Sequence, residues 1–203
     1  TFFNEPVRGG YPCPKSEFNG FLFSKDIGGN ESYQIYLYDF NSGKSILLSD
    51  GTSRNMLGSW SNKGEYFSFS SNSGNGKDMN IFISDLKGNK KKLFTKEGYW
   101  FSRSWSPDDK KLIVGKYVSI NESYIYIVDI ETGKMTQFNP KKDKISYGGA
   151  MYSKNSEGIY YSSDEGTEFK HLRYFDIAKG SHTILTEDIP WDILGFSQSK
   201  NGS

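Results

Sequence analysis

The chain repeats one short phrase about every 45 residues. Each copy opens with an aromatic residue followed by serine, at Trp60-Ser61, Trp105-Ser106, Tyr152-Ser153 and Phe196-Ser197. After the first three copies come a polar turn, an alternating strand, a second strand ending in Asp, a Gly-containing turn and a third short strand. A period of about 40 to 50 residues made of four short strands is typical of β-propeller blades. The repeat therefore predicts an all-β protein with a β-propeller fold.

A series of aspartates shows the same period. It consists of Asp39 in IYLYDF, Asp85 in IFISDL, Asp129 in IYIVDI and Asp176 in LRYFDI. Each precedes a turn, so its carboxylate is expected to accept backbone N–H groups of that turn. One Asp at the same turn of every repeat indicates architecture rather than a metal site or an acid/base pair.

The repeat predicts about four four-stranded blades and the first strand of a fifth. The blade ranges are 1–52, 53–97, 98–143 and 144–188, with the start of the next blade in 189–203, where a strand is expected from Asp192. The first strand of the first blade is poorly marked before Phe21. The lone fifth strand could complete that blade. Alternatively, the chain belongs to a longer protein, which we favour because an open arc would expose two sheet edges.

Composition narrows the range of partners. The formal net charge is +1, so no long-range field would recruit nucleic acid or anionic membrane. No apolar run approaches the roughly 18 residues that a membrane span needs. The one cysteine, Cys13, excludes an internal disulfide and leaves the compartment open. We therefore expect no nucleic-acid partner and no membrane span, and the localisation stays unknown.

Residues just before each blade aromatic are expected to lie near the central axis, where space is tight. They are Gly58-Ser59, Arg103-Ser104, Ala150-Met151 and Leu194-Gly195. Arg103 is a guanidinium where the other repeats have small or apolar residues. It could contact a carboxylate or a peptide carbonyl of a ligand, or pair with a nearby Asp for structure.

The motif NESY occurs at residues 30–33 and 121–124, each time before a third strand. It could form a ligand-facing loop, with Glu31 and Glu122 reaching for a cationic group. Equally, it could be a duplicated turn. Together with Arg103, these two glutamates are the candidate substrate-binding residues.

Catalytic signatures are missing from the sequence. There is no Gly-x-Ser-x-Gly nucleophile elbow, glycine-rich phosphate loop, zinc spacing or calcium loop. The two histidines do not stand near an activated serine: His171 precedes a strand and His182 falls in an expected turn. We therefore expect no catalytic residue, cofactor or metal within this chain.

Several segments resemble the amino-terminal propeller of bacterial serine peptidases of the prolyl oligopeptidase family. They are residues 1–7, 21–31, 70–85, 105–134, 162–176 and 186–202. The resemblance covers nearly the whole chain and includes loops as well as blade phrases. TolB-like propellers share the Trp-Ser-Pro-Asp phrase but are not similar in the other segments.

The resemblance implies a propeller of seven or eight blades over an α/β-hydrolase domain that follows it in the parent chain. In that family the propeller admits short peptides and excludes folded proteins, and the hydrolase domain carries a Ser, Asp, His triad. No position of this chain matches the triad or the paired-Glu motif of the dipeptidyl-peptidase branch. The expected function is thus the non-catalytic gating portion of a serine peptidase, with that hydrolase domain and a peptide substrate as partners.

The alternative is a stand-alone TolB-like propeller that binds a protein or peptide partner on its exposed face. Self-association through open blade edges is a further hypothesis, in which two arcs close one ring of about eight blades.

Overall fold

The structure, a computed structural model, describes residues 5–15, 17–138 and 144–199. Within these ranges there are sixteen β-strands and no helix, and the strands form four antiparallel sheets of four strands each. The prediction of an all-β fold built from four-stranded sheets is confirmed.

The strands follow the repeat. The first sheet contains β1 (Val7–Pro12), β2 (Gly20–Lys25), β3 (Gln34–Asp39) and β4 (Lys44–Leu47). The second contains β5 (Asn55–Trp60), β6 (Tyr66–Ser71), β7 (Asn80–Asp85) and β8 (Lys90–Lys92). The third contains β9 (Tyr99–Trp105), β10 (Lys111–Ser119), β11 (Glu122–Asp129) and β12 (Met135–Gln137). The fourth contains β13 (Tyr147–Tyr152), β14 (Gly158–Ser163), β15 (His171–Asp176) and β16 (Ser181–Ile184).

Each sheet is a meander, in which strands adjacent in sequence pair with each other. In the second sheet Tyr66 pairs with Asp85 at one end of the β6–β7 ladder, and Ser71 pairs with Asn80 at the other. The aromatic-Ser turn and the Asp turn therefore lie together at one end, which we call the turn end. The connection between the second and third strands, and the segment after the fourth, lie at the opposite end, which we call the loop end.

The chain divides after Ser102 into two compact units, each with its own apolar core. The core of the first unit includes Leu22, Ile35, Leu37, Leu48, Phe67, Phe69 and Phe82. The core of the second includes Ile113, Ile125, Phe138, Ile145, Tyr147, Ala150, Tyr152, Ile159 and Tyr161.

Strand β6 is buried more completely than its sequence suggests. Its alternation of Phe and Ser predicts one buried and one solvated face, yet Ser68, Ser70 and Ser71 are as buried as Phe67 and Phe69. Serine is small enough to face a close neighbour, so both faces of this strand are covered.

The first strand of the second sheet contains a bulge where space was predicted to be tight. Leu57 pairs with Phe69 and Trp60 pairs with Phe67, so Gly58 and Ser59 lie opposite a single residue, Ser68. The Ser59 N–H donates to Ser68 Oγ at 3.1 Å. A Cβ atom on Gly58 would lie 1.9 Å from Ser102 Oγ, so only glycine fits there without a shift.

The periodic aspartates cap the third-to-fourth strand turns, as predicted. Their Oδ1 atoms accept backbone N–H groups at 2.8 to 2.9 Å: Asn41 to Asp39, Lys87 to Asp85, Thr132 to Asp129 and Lys179 to Asp176. Side-chain donors at Asp39, Asp85 and Asp176, and the Thr132 N–H at Asp129, contribute most to holding the pKa of each carboxyl below its usual value, and the other turn N–H groups add to this.

The two ends of the repeat series differ from expectation. The poorly marked first strand exists as β1, which pairs with β2. The strand expected from Asp192 is absent, since residues 185–199 contain no strand and Leu194 is 91% exposed. Residues 200–203 of that prediction lie outside the described residues. A strand needs a neighbouring ladder for its backbone groups, whereas here the Ile193 N–H donates to the Lys170 carbonyl, in the loop before β15, at 2.8 Å.

The Asp turns should make the protein sensitive to acid. Folding lowers the pKa of Asp39 through the Ser42 hydroxyl, of Asp129 through the Thr132 N–H and of Asp176 through the Lys179 ammonium. A carboxyl with a lowered folded-state pKa stabilises the fold above its unfolded-state value of about 4, and the contribution is lost as pH falls through the folded value. We expect the urea midpoint to be level between about pH 7 and 5 and to drop below about pH 4. Asp129→Asn should shrink this drop, and an unchanged drop would contradict the role of that turn.

Gly58→Ala should lower the free energy of unfolding by about 1 to 3 kcal/mol, because the added methyl group overlaps Ser102 and Ser68. The matched control is Gly195→Ala, where a Cβ atom meets no heavy atom within 4 Å, and a change within about 0.5 kcal/mol is expected. Urea denaturation measures both variants. Equal stabilities would show that the close approach at Gly58 is relaxed at little cost.

Candidate functional site

A buried polar side chain stands at or next to the start of the third strand of each sheet, at the loop end. These residues, which we call the anchors, are Gln34, Asn80, Ser123 and His171, each no more than 5% exposed. Gln34, Asn80 and His171 hydrogen-bond the segment that leads out of their own sheet, whereas Ser123 bonds Tyr147, the first residue of β13. The anchors therefore fix the connections that form the loop end.

Gln34 uses both ends of its amide. Its Oε1 accepts hydrogen bonds from Ser49 Oγ at 2.6 Å and from the Gly51 N–H at 2.9 Å. Its Nε2 donates to the carbonyls of Ser32 at 2.8 Å and Ser53 at 2.7 Å. A single buried amide thus ties the loop before β3 to the segment after β4.

In the second sheet, Asn80 and Asp78 tie the start of β7 and the loop before it to the segment after β8. Asn80 Oδ1 accepts the Lys96 N–H at 2.7 Å, and Asp78 Oδ1 accepts the Gly98 N–H at 2.8 Å. Asp78 Oδ2 accepts from Asn75 Nδ2 at 2.8 Å. The Gly98 N–H is the largest cause of the lowered pKa of Asp78, so this carboxylate is ionised and already engaged at neutral pH.

These ties border a polar cleft of about 310 Å³ between the β6–β7 loop and the segment after β8. It is lined by Gly74, Asn75, Asp78, Asn80, Lys92, Thr95, Lys96 and Glu97. The Lys92 ammonium lies 5.4 Å from the centroid of the Phe82 ring. Among the described residues, neither Lys92 nor Lys96 forms an ion pair.

Arg103 lies in β9 and contacts the backbone of β13. Its Nη2 is 3.5 Å from the Tyr147 carbonyl oxygen, which also accepts from Ser123 Oγ at 3.3 Å. The Tyr147 N–H donates back to Ser123 Oγ at 2.8 Å. Burial lowers the pKa of Arg103 to about 10, so it is a cation at pH 7. The carbonyl contact expected of Arg103 is thus made to its own chain, and contact with a ligand stays a prediction.

Glu31 lies in the first unit, in the exposed loop before β3. Its backbone has a φ of +57°, and its N–H donates to Asp26 Oδ2 at 2.9 Å. The Glu31 carboxylate is 3.9 Å from Arg54 Nη2. Because both side chains of this ion pair are exposed, the pair leaves the carboxylate accessible to a ligand cation.

Glu122 lies in the second unit, as the first residue of β11. Its carboxylate accepts from the Tyr124 hydroxyl, which raises the pKa of that tyrosine, and lies 3.9 Å from Lys144 Nζ. Ser119 pairs with Glu122, so the second NESY copy begins in a two-residue hairpin turn, whereas the first copy lies in a longer loop. The two copies therefore share a sequence but not a backbone conformation. The interpretation of the motif as a duplicated turn is wrong.

The β10–β11 hairpin is longer than the other ladders, and its tip is apolar. Tyr117, Val118 and Ile120 are all exposed, Ile120 to 75%. Ser146 Oγ donates to the Ile120 carbonyl at 2.9 Å, which holds the tip in place. A fixed, exposed apolar tip of this kind is a candidate contact for a protein partner.

The two histidines are held by structural hydrogen bonds. His182 lies in β16 rather than in the expected turn, because β16 begins one residue before it. Its Nδ1 is 2.8 Å from the hydroxyl of Tyr161, whose pKa burial raises to about 12. His171 Nδ1 is 2.7 Å from the Thr186 carbonyl oxygen. Within the described residues, no group of three or more His, Cys, Asp or Glu side chains is arranged to hold a metal ion.

Sequence reasoning missed the anchors and the cleft. A signal was present for three anchors, since Gln34, Asn80 and His171 each stand five positions before the periodic Asp. The three lysines of β8 are all exposed, as is usual for the outer strand of a sheet. Lys92 lies in a cleft because the β6–β7 loop folds opposite it. The sequence of that loop is not repeated along the chain, so the repeat does not predict the cleft.

Comparison with known proteins gives the fold. No protein-family model and no curated protein matches the chain. Among solved structures, a protein described as TolB from Agrobacterium tumefaciens is 17% identical with a TM-score of 0.68, over 91% of this chain and 63% of that one. A prolyl endopeptidase is 15% identical (TM-score 0.64, 91% of this chain and 30% of that one). An oligogalacturonate lyase from Vibrio parahaemolyticus is 14% identical (TM-score 0.68, 91% and 54%).

These similarities establish a β-propeller fold and extend across protein classes that include a peptidase and a lyase. The chain spans less than two thirds of the length of each of these proteins. No helix in the described part of the chain is long and apolar enough to cross a membrane.

Gln34→Met should lower the free energy of unfolding by about 2 to 3 kcal/mol, because it leaves the partners of the amide without hydrogen bonds. Lys44→Met, at an exposed position of β4 in the same sheet, is the matched control and should change stability by less than about 0.5 kcal/mol. Urea denaturation compares the two. If the variants are equally stable, Gln34 does not anchor the loop end.

Proposed function

We propose that this chain is part of a propeller that controls the access of peptides to a hydrolase domain of the prolyl oligopeptidase family. The observation that carries the proposal is the likeness to a prolyl endopeptidase over 91% of this chain. The resemblance of its loop segments to that family points the same way. The hydrolase domain would supply the nucleophile, and this chain would supply the filter.

Filtering by size requires a rim that keeps its shape. Loops that moved freely would let larger chains pass. Loops tied by buried hydrogen bonds keep one conformation and so set a constant size limit. The anchors Gln34, Asn80, Ser123 and His171 provide such ties at the loop end of every sheet. Folded proteins would be rejected sterically, and only extended peptides would reach the reacting groups.

Peptide contact is assigned to Arg103, Glu31 and Glu122. Arg103 would offer its guanidinium to peptide carbonyls or carboxylates. The two glutamates would attract the amino terminus or a basic side chain of a peptide. Their neighbours Arg54 and Lys144 lie 3.9 Å away, and a ligand cation could displace such weak pairs.

A second candidate is a stand-alone propeller that binds a protein or peptide. One observation favours it: the β10–β11 hairpin presents an exposed apolar tip. Ile120→Ser would weaken partner binding in this case and would leave the cleavage of small peptides unchanged in the other.

The coding sequence downstream of the Ser203 codon tests the main proposal. A frame that continues through further blades into a Gly-x-Ser-x-Gly strand–turn–helix supports it, and the full-length enzyme should then cleave short peptides but not the same sequences within folded proteins. A frame without a hydrolase domain overturns it and leaves the binding propeller.

Glu31→Gln and Glu122→Gln should each weaken the binding of a peptide with a free amino terminus about two- to fivefold, because each removes one negative charge that would attract the amino group. Binding of the amino-acetylated peptide should not change. Fluorescence anisotropy with a carboxyl-terminally labelled pentapeptide measures both. Glu65→Gln, at the turn end of the second sheet, is the control, and equal effects of all three variants would remove the assignment.

A further inference from the structure

We propose that the polar cleft of the second sheet is a subsite for the carboxylate group of a peptide, bound by Lys92 and Lys96. The inference rests on the proposed peptide-binding function and names a contact that the function alone does not assign. The cleft lies wholly within the first unit, between the β6–β7 loop and the segment after β8.

Most polar groups lining the cleft already have partners. Asn75 Oδ1 accepts the Lys77 and Asp78 N–H groups at 3.0 and 2.9 Å, and its Nδ2 donates to Asp78. Asn80 is engaged through Oδ1 with Lys96 and through Nδ2 with the Asp78 carbonyl at 3.3 Å. These side chains shape the cleft and are not available to bind a ligand.

Apart from the Glu97 carboxylate, the groups left for a ligand are donors. Two ammonium groups, those of Lys92 and Lys96, and the hydroxyl of Thr95 form no hydrogen bond or ion pair among the described residues. An ammonium offers three N–H donors. The cleft therefore combines walls held by internal hydrogen bonds with side chains suited to an anion.

Both lysines are partly held before a ligand arrives. The Lys92 ammonium lies against the Phe82 ring, and a Cβ atom on Gly74 would lie 3.4 Å from Lys92 Nζ, so this ammonium borders the β6–β7 loop. The backbone of Lys96 is fixed by Asn80. Restricting these positions lowers the entropy lost when an anion binds.

Charge balance and size favour a carboxylate over a phosphate. The cleft also contains the carboxylates of Asp78 and Glu97, so two positive and two negative side chains line it. A dianion would double both the attraction to the lysines and the repulsion from Glu97 and Asp78, while the cost of removing it from water rises more steeply, so a monoanion is favoured. A volume of about 310 Å³ is at the lower end for small-molecule pockets and suits the end or one acidic side chain of a peptide.

The direct test compares N-acetyl-alanine, which has a carboxylate, with N-acetyl-alanine amide, which does not. Titration of the ¹⁵N-labelled chain should shift the amide signals of Gly74, Lys96 and Gly98 with the acid only. Lys92→Gln and Lys96→Gln should each weaken binding about threefold, and the double variant about tenfold. Glu97→Gln should strengthen binding about threefold, because it removes a like charge.

Lys87→Gln is the matched control, since this exposed lysine lies at the turn end of the same sheet. All variants change exposed side chains, and unchanged amide spectra outside the cleft confirm folding. Equal shifts with the acid and the amide, or tighter binding of inorganic phosphate, would overturn the inference. An acetylated pentapeptide amide carrying one internal Glu separates the two sources: binding equal to that of a free carboxyl terminus indicates that either carboxylate is accepted, which still supports the subsite.

Failure of the subsite and failure of the proposed function give different results. N-acetyl-alanine reports on the cleft alone, whereas the coding sequence and peptide cleavage report on the gating function. A chain that gates peptides without binding N-acetyl-alanine loses only the subsite.

Discussion

The hydrogen bonds of the buried anchors hold the loop end of every sheet. Backbone ladders tie the strands of a four-stranded meander and continue to the first residue after its outer strand, as where the Leu48 N–H donates to the Ile35 carbonyl. In three sheets a polar side chain at the start of the third strand also bonds that segment, most fully at Gln34, and in the third sheet Ser123 bonds the first residue of β13. The anchor side chains add hydrogen bonds further along these segments, so the position of the loops depends on both the backbone bonds and the anchors.

The two ends of a sheet consequently differ in how much their residues vary from one repeat to the next. The turn end repeats the same chemistry, with an aspartate before the last strand of every sheet and a serine after the aromatic residue in the second, third and fourth sheets. The loop end varies, with a polar cleft in the second sheet and a long apolar hairpin in the third. Variable loops on a repeated scaffold are where binding is expected, and the proposed contacts of Glu31, Glu122, Lys92 and Lys96 lie there.

The sequence predicted those features that depend on neighbours along the chain. The strands and the Asp turns follow from alternation and from hydrogen bonds over two to four residues. It failed at the segment from Asp192, where the pattern of a strand is present but its backbone bonds elsewhere. It also placed His182 in a turn, because the length of an outer strand depends on its pairing with β15 rather than on its own residues.

The sequence by itself determined the period, the four-stranded repeat and the capped turns, since these depend on contacts within one repeat. Only the tertiary structure decided which polar residues are anchors, that Arg103 meets the Tyr147 carbonyl and that Lys92 and Lys96 line one cleft. Those contacts join residues far apart in the chain, and their geometry comes from the packing of loops and strands that share no sequence period.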